Sequence, residues 1–318
     1  MRPKIPYFCS PFLNKLFYSK LLNIKSLNKN TMKIPASELP LQPGGQIYHL
    51  GLHPEEIADH IIVVGDPGRV ENISRRFDTV ELRRQNRELV THTGTLRGKR
   101  ISALSTGMGT DNIDIVMNEL DALANIDLKT MEVKPEHRTL NIVRIGTCGA
   151  LQPDIPVLSP IASEYGFGFD GLMHFYQHGA GFDEAIVEAF VKHTGWGEKL
   201  PYPYCAAGSK ELLDRIGFDM VHGITASAPG FFGPQGRNVR AQLQFPDLNS
   251  RIDSFNYNGH RITNLEMETS ALYGFGQIFG HNLFTVCLAI ANRVTHDFAS
   301  DYHKEMDNLI QTVLDRIF

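Results

Sequence analysis

Three arginines that sit beside glycines or at strand ends are the first residues in this chain whose placement suggests chemistry. Arg144 lies near the end of the apolar run Leu140-Asn141-Ile142-Val143-Arg144-Ile145, which reads as a strand buried on both faces. A guanidinium there is costly unless an anion meets it. The next residues, Gly146-Thr147-Cys148-Gly149, are expected to form a small-residue turn whose backbone N–H groups can approach a ligand closely. The combination suggests an oxyanion or phosphate cradle, with a structural carboxylate partner for Arg144 as the alternative. Arg69 closes Gly65-Asp66-Pro67-Gly68-Arg69, between a predicted strand at 61–64 and a predicted helix at 70–77. Strand, glycine turn, basic residue and helix start can hold an anion. The segment is neither G-x-G-x-x-G nor a P-loop, so no dinucleotide or triphosphate is implied. Arg87 is the third. A planar guanidinium suits phosphate oxygens bidentately, and several together neutralise a dianion.

Two further groups stand out. Asn264-Leu265-Glu266-Met267-Glu268 places two carboxylates at i, i+2, on the same side of the chain if the segment is extended. They suit the vicinal hydroxyls of a sugar; acids drawn to a helix N-terminus are the simpler reading, above all for Glu268. Pro229-Gly230-Phe231-Phe232-Gly233-Pro234-Gln235-Gly236-Arg237 puts an aromatic pair, an amide and a guanidinium in one Gly/Pro loop. That set suits a planar heterocycle, with a ring to stack on, an amide for paired hydrogen bonds and a guanidinium for a carbonyl.

The elements that must position these residues alternate between strand and helix. Strands are expected at 61–64, 88–95, 101–105, 157–163, 221–226 and 283–291, besides the one carrying Arg144. Helices are expected at 113–126, near 184–192, from about 268, and at the C-terminus, where Tyr302, Met306, Leu309, Ile310, Val313, Leu314 and Ile317 share one face. Residues 128–138 read as a charged surface loop and 166–181, with His174 and His178, as a long irregular one. This order predicts a single α/β domain over 46–318. Residues 1–45 are expected to be an N-terminal extension. Its first 31 residues carry Arg2, Lys4, Lys15, Lys20, Lys25 and Lys29 and no acid. Disorder or a misplaced start ahead of Met32 is favoured over a targeting peptide, which prefers Arg to Lys.

With 318 residues, 42% apolar and 21% charged, the composition is that of an ordinary globular enzyme. A net charge of -4 argues against nucleic acid as a partner, and no apolar run is long enough to span a bilayer. Cys9, Cys148, Cys205 and Cys287 show no metal or disulfide spacing and read as reduced thiols of a cytoplasmic protein.

Taken in order, these segments resemble the nucleoside phosphorylase family, most closely its uridine phosphorylases. The resemblance runs from about Tyr48 to the C-terminus. It is carried by His49-Leu50-Gly51-Leu52, Gly65-Asp66-Pro67-x-Arg69-Val70, Arg87-Glu88, Ser105-Thr106-Gly107-Met108-Gly109, Arg144-Ile145-Gly146-Thr147-x-Gly149, Phe231…Gln235-x-Arg237, Glu266-Met267-Glu268 and Asn292-Arg293. It implies a nucleoside-phosphorylase-type fold, a central mixed sheet flanked by helices. It also implies phosphorolysis, in which phosphate attacks the anomeric carbon of a nucleoside as the base leaves. By resemblance, Gly65, Arg69, Arg144 and Thr147 bind phosphate, joined by Arg87 from a neighbouring subunit. Glu266, Met267 and Glu268 hold the ribose, and His49 reaches its 5′-hydroxyl across the same interface.

Gln235 and Arg237 would read the uracil edge, with Phe231 against the ring and Arg293 supporting a carbonyl. Donors aimed at the carbonyls stabilise the charge that develops on the leaving base. The resemblance implies no cofactor and no metal; Cys148 is expected to pack, not to attack. Purine members of the family typically place an Asp near the position of Asn292-Arg293, and no acid is read there in this chain. The family also allows a monovalent cation between subunits, held by a Ser and a Glu. Asn112 stands in place of that Ser beside Glu88, which argues against the ion. The implied partners are a small nucleoside, phosphate and further copies of the chain, as a dimer or a hexamer with the active site shared across a dimer interface. Other readings are a purine or broad-specificity phosphorylase, a nucleosidase on the same fold, and a nucleoside-binding protein without activity.

Overall fold

The computed structural model describes residues 33–318, and the basic stretch 1–31 lies outside the described residues. Within the expected extension, the segment before Gln46 is tied to the rest. The Ile34 N–H donates to the Met131 carbonyl, Leu41 bridges Ile47, and Leu39 packs against the core.

An eleven-stranded mixed sheet runs through the molecule. β1 (His60–Val64), β7 (Asn141–Ala150) and β13 (Asn282–Asn292) form its parallel centre, with β4 (Lys99–Ser105) parallel to β1 on the outer side. Their near-continuous apolar runs fit burial on both faces: all four residues Ile61–Val64 are buried. β3 (Leu89–Leu96) and β2 (Thr79–Asn86) extend that side antiparallel. On the other side β8 (Pro160–Gly168), β10 (Val221–Ser227) and β12 (His260–Glu266) follow. β12 then pairs antiparallel with the end of β7 through Leu265–Gly149 and Asn264–Ala150. The strands β7, β13, β8, β10 and β12 therefore close into a ring. β9 (Tyr204–Ala207) pairs with β8, and β11 (Asn256–Tyr257) with β12.

Helices cover the sheet on both sides. α2 (Thr110–Asn125) and α6 (Thr269–Phe279) pack on each other over one core, which includes Leu104, Leu120, Leu272 and Phe275. α1 (Pro67–Ser74), α4 (Lys210–Ile216) and α7 (His303–Arg316) cover the other, around Val64, Val143, Val286 and Val313. α3 (Glu184–Thr194) and α5 (Leu248–Asp253) close the ring's outer side around Phe167, Phe190 and Phe255. Each fully buried aliphatic side chain in these layers contributes about 1.5–3 kcal/mol relative to exposure. Among the described residues no helix is long and apolar enough to cross a membrane.

Several expectations are corrected. Gly146-Thr147-Cys148-Gly149 is not a turn but the continuation of β7, paired with β13 along its length. Two hydrogen-bonding neighbours hold it extended, and its glycines leave room for what crosses it. A Cβ on Gly146 would lie 2.1 Å from Arg144 Nη1, and one on Gly149 3.2 Å from Arg293 Cγ. The 166–181 loop is shorter than expected, because β8 runs to Gly168 and residues Leu172–Phe175 form a 3-10 turn. Residues 128–138 contain one arm of a two-residue hairpin, β5 (Ile126–Asp127) with β6 (Glu132–Val133). The helix after Asp66 starts earlier, at Pro67, because Asp66 caps it and proline suits its first turn. β2, β9, α4 and α5 carry no pattern strong enough to be read from the sequence; β2 alternates exposed and half-buried residues, the mark of a sheet edge.

Candidate active site

The carboxyl ends of β1, β7, β12 and β13 open into one cavity of about 900 Å³. Ligands in α/β sheets bind outside such strand ends. Its lining brings together Gly65, Arg69, Arg144, Thr147, Phe231, Gln235, Arg237, Glu266, Met267, Glu268 and Arg293, gathered from segments more than 200 residues apart in the chain.

At one end sit Arg69 and Arg144. The Asp66 carboxylate caps α1 by accepting from the Gly68 N–H at 2.9 Å, and Arg69 projects from the first turn so formed. Its guanidinium donates to the Ile145 carbonyl at 3.3 Å and forms no ion pair among the described residues. Burial, with Arg144 adding like-charge repulsion, pushes it below the ordinary arginine range. Arg144 is buried and meets both acids. Its Nη1 lies 3.2 Å from Glu266 and donates to Cys287 Sγ at 3.1 Å, and its Nη2 donates to Glu268. Burial alone would lower this arginine; the two carboxylates outweigh it and hold it fully charged. Its Nε, also buried, has no protein partner. The structural-carboxylate alternative for Arg144 is thus realised in the ligand-free chain, while Arg69, with Asp66 opposing its burial only from a distance, forms no ion pair among the described residues.

Between the ends lie the carboxylates. Glu266 ends β12 and accepts from the Glu268 and Thr269 backbone N–H groups and from the Ser227 hydroxyl. It therefore anchors the N-terminus of α6, where the macrodipole favours an acid. Glu268 accepts from the Gly109 N–H at 2.6 Å and from Arg144. Burial, reinforced by Glu266 and opposed by Arg144, pushes its carboxyl above the usual range.

The other end is built on a loop. Gly233–Gln235 form a 3-10 turn closed by Gly236 in the left-handed region, φ 68°, where a Cβ would also strike Asn249. Gln235 is buried, and its side-chain carbonyl accepts from Arg237 at 2.7 Å. The Arg237 guanidinium lies 3.7 Å from the centre of the Phe231 ring. Arg293 crosses Gly149 and reaches the Gln235 backbone carbonyl at 3.4 Å. Neither arginine has a carboxylate partner among the described residues. Burial and the neighbouring Arg293 push Arg237 down to about 10, and burial alone lowers Arg293. Two desolvated, uncompensated cations around an amide and a ring invite a planar ligand that carries or develops negative charge.

Arg87 and His49 are not in the cavity wall of a single chain. Arg87 sits at φ 55° in the exposed β2–β3 turn. His49 is half-buried, its Nδ1 2.7 Å from Glu119, whose carboxylate also accepts from the His49 and Leu50 N–H groups. The cavity also takes in residues not singled out from the sequence. Asn292 accepts from the Val294 and Thr295 N–H groups and so folds the chain back after β13. This brings His296, Asp297 and Phe298 to the wall. An acid therefore does reach the cavity near Arg293, contrary to the expectation of none. An Asn at a strand end, able to close an Asx turn, was the available signal. Glu88 and Asn112 line the opposite wall.

Outside the cavity, one group among the described residues, Asp121, His137 and His281, brings possible metal-ligand atoms within 4.8 Å. The Leu140 N–H donates to His281 Nδ1 at 3.2 Å, so that nitrogen keeps its lone pair. His281 Nε2 lies 3.3 Å from Asp121 without a hydrogen bond to it.

A family model described as "Phosphorylase superfamily" matches residues 59–317. The chain belongs to that superfamily. It is 29% identical over 282 residues to a uridine phosphorylase of Thermococcus kodakarensis, covering 86% of this chain and 87% of the relative. It is 27% identical over 272 residues to a DeoD-type purine nucleoside phosphorylase of Oceanobacillus iheyensis, covering 85% and 98%. Among solved structures, a Trypanosoma brucei nucleoside phosphorylase, described as showing uridine phosphorylase activity, superposes with a TM-score of 0.78 at 28% identity, covering 88% of this chain and 99% of that one. The fold is that of the nucleoside phosphorylases, a mixed sheet flanked by helices, and a nucleoside and phosphate are the substrates of such enzymes.

Proposed function

We propose that this chain catalyses the phosphorolysis of uridine to uracil and ribose 1-phosphate, with deoxyuridine or thymidine as further candidates, in pyrimidine salvage. One observation carries the reading: two cationic ends separated by a carboxylate pair within a single cavity. Phosphate sits against Gly65, Arg69, Thr147 and Arg144; Glu268 and Met267 meet the ribose; Gln235, Arg237, Arg293 and Phe231 meet the base. A phosphate oxygen forms the new bond to the anomeric carbon while the glycosidic bond breaks, and the electron pair leaves on the base. Arg237 and Arg293 are placed to stabilise that charge, and water then protonates the base. Holding the reactants in line and stabilising the departing charge are the two contributions such a site offers.

The uridine phosphorylase relative and the Trypanosoma structure support the pyrimidine reading. Asp297 in the wall and the DeoD-type relative favour a second reading, a purine or broad-specificity phosphorylase with Asp297 as a proton donor to the base. Arg87 and His49, both off the cavity wall of one chain, fit a homo-oligomer in which a second copy completes the site. The described cysteines, all free and buried, fit a cytoplasmic enzyme. Base release from uridine and from inosine, each with and without phosphate and followed by ultraviolet absorbance, tests the proposal. Phosphate-dependent uracil release with little action on inosine is expected. Release without phosphate would make the chain a nucleosidase, and preference for inosine would move the assignment to purines.

A further inference from the structure

Glu266 and Glu268 flank one guanidinium but are held in different ways. Glu266 accepts from two backbone N–H groups and a serine hydroxyl as well as meeting Arg144, so it is committed to the backbone at the start of α6. Among the described residues the Glu268 carboxylate has two partners, Arg144 Nη2 and the Gly109 N–H at the N-terminus of α2. A guanidinium and a helix-terminal N–H are donors suited to an anion. The neighbouring donors await a partner: Arg144 Nε has none, and Arg69 meets only a backbone carbonyl.

We infer that Glu268 is a stand-in anion: in the ligand-free protein its carboxylate occupies part of the phosphate cradle, and arriving phosphate displaces it from Arg144 and frees it for the ribose hydroxyls. The inference rests on the phosphorolysis reading and adds to it an order of events. A phosphate dianion and the Glu268 carboxylate on the same buried guanidinium repel each other strongly, because little water screens them. Glu266 cannot yield, since moving it would strip two N–H groups of α6 of their acceptor. Glu268 can, because it gives up only the Gly109 N–H and the guanidinium that phosphate takes over. Burial already disfavours its charged form. Once released it accepts from the sugar hydroxyls, so each substrate prepares the site for the other, and the coupling must be reciprocal.

Titration calorimetry on the full chain tests this, with sulfate as a phosphate mimic that supports no turnover. Uridine is expected to bind about tenfold more tightly to sulfate-saturated protein than to sulfate-free protein, a coupling of ~1.4 kcal/mol. Glu268→Ala and Glu268→Gln are expected to bind inorganic phosphate about tenfold more tightly than the parent, though both lose turnover. Uridine affinity indifferent to sulfate, or phosphate affinity unchanged or weakened in both variants, overturns the exchange. The sulfate experiment needs no variant and decides the matter if neither substitution folds. Phosphate-dependent uracil release combined with indifference to sulfate sinks the exchange alone; a parent that binds no phosphate and releases uracil without it sinks the phosphorolysis reading as well.

Discussion

The two cationic ends of the cavity are built on opposite plans. Arg144 stands on a central strand with hydrogen-bonded neighbours on both sides, and its charge is met by two carboxylates. Arg237 stands on a Gly/Pro loop, stacked on a half-exposed ring, and no carboxylate among the described residues meets it. A compensated charge in the core belongs to the fold as much as to the site. Arg237 is held by the Phe231 backbone carbonyl, the Gln235 amide oxygen and the Phe231 ring, neutral partners on a surface loop that offset its desolvation only in part and whose loss costs the fold little. The difference teaches which substitutions report on stability and which on chemistry.

The largest effect should therefore come at the strand-built end. Arg144→Met leaves two buried carboxylates facing each other unpaired, and loss of a buried partner charge costs about 3–5 kcal/mol. Urea unfolding is expected to show that loss; a loss under 1 kcal/mol would mean that the ion pairs contribute little to the fold. Next, Arg237→Ala should reduce kcat/KM for uridine by about 1.5–3 kcal/mol, the worth of a charged hydrogen bond, with an unchanged urea midpoint. Destabilisation there, or intact kinetics, would erase the contrast between the ends. Arg69→Ala should raise the phosphate KM by roughly tenfold, about 1.4 kcal/mol, and leave the uridine KM nearly as it was, as initial rates at varied phosphate would show. Phe232→Ala should have the smallest effect. Phe232 meets Phe231 edge-on and is more than half exposed, so a stability change within about 0.5 kcal/mol is expected. A larger loss on thermal unfolding would show that the Gly/Pro loop is anchored by its aromatic pair.

Much of the site was legible because the chemistry-bearing residues lie in compact segments. Gly65 to Arg69, Glu266 to Glu268 and Phe231 to Arg237 each come from one stretch, and the cavity wall contains all three. What could not be read has physical reasons. Gly146–Gly149 looked like a turn because glycine is depleted in strands; hydrogen bonding from β13 and β12, far away in sequence, keeps it extended. Asp297 escaped notice because its approach depends on the turn that Asn292 closes. The 166–181 stretch looked irregular, yet its first residues join β8, where Gly166 lets the backbone of Ser270 approach closely.

The sequence by itself determined the alternation of strands and helices, the apolar centre of the sheet and the three segments that line the cavity, because local pattern and residue type dictate those. Only the tertiary structure decided which charges meet. Arg144 finds Glu266 and Glu268 across more than 120 positions of chain, while Arg69 and Arg237 form no ion pair among the described residues. Charge pairing depends on distances of a few ångströms, and these exist only once the strands have closed into their ring.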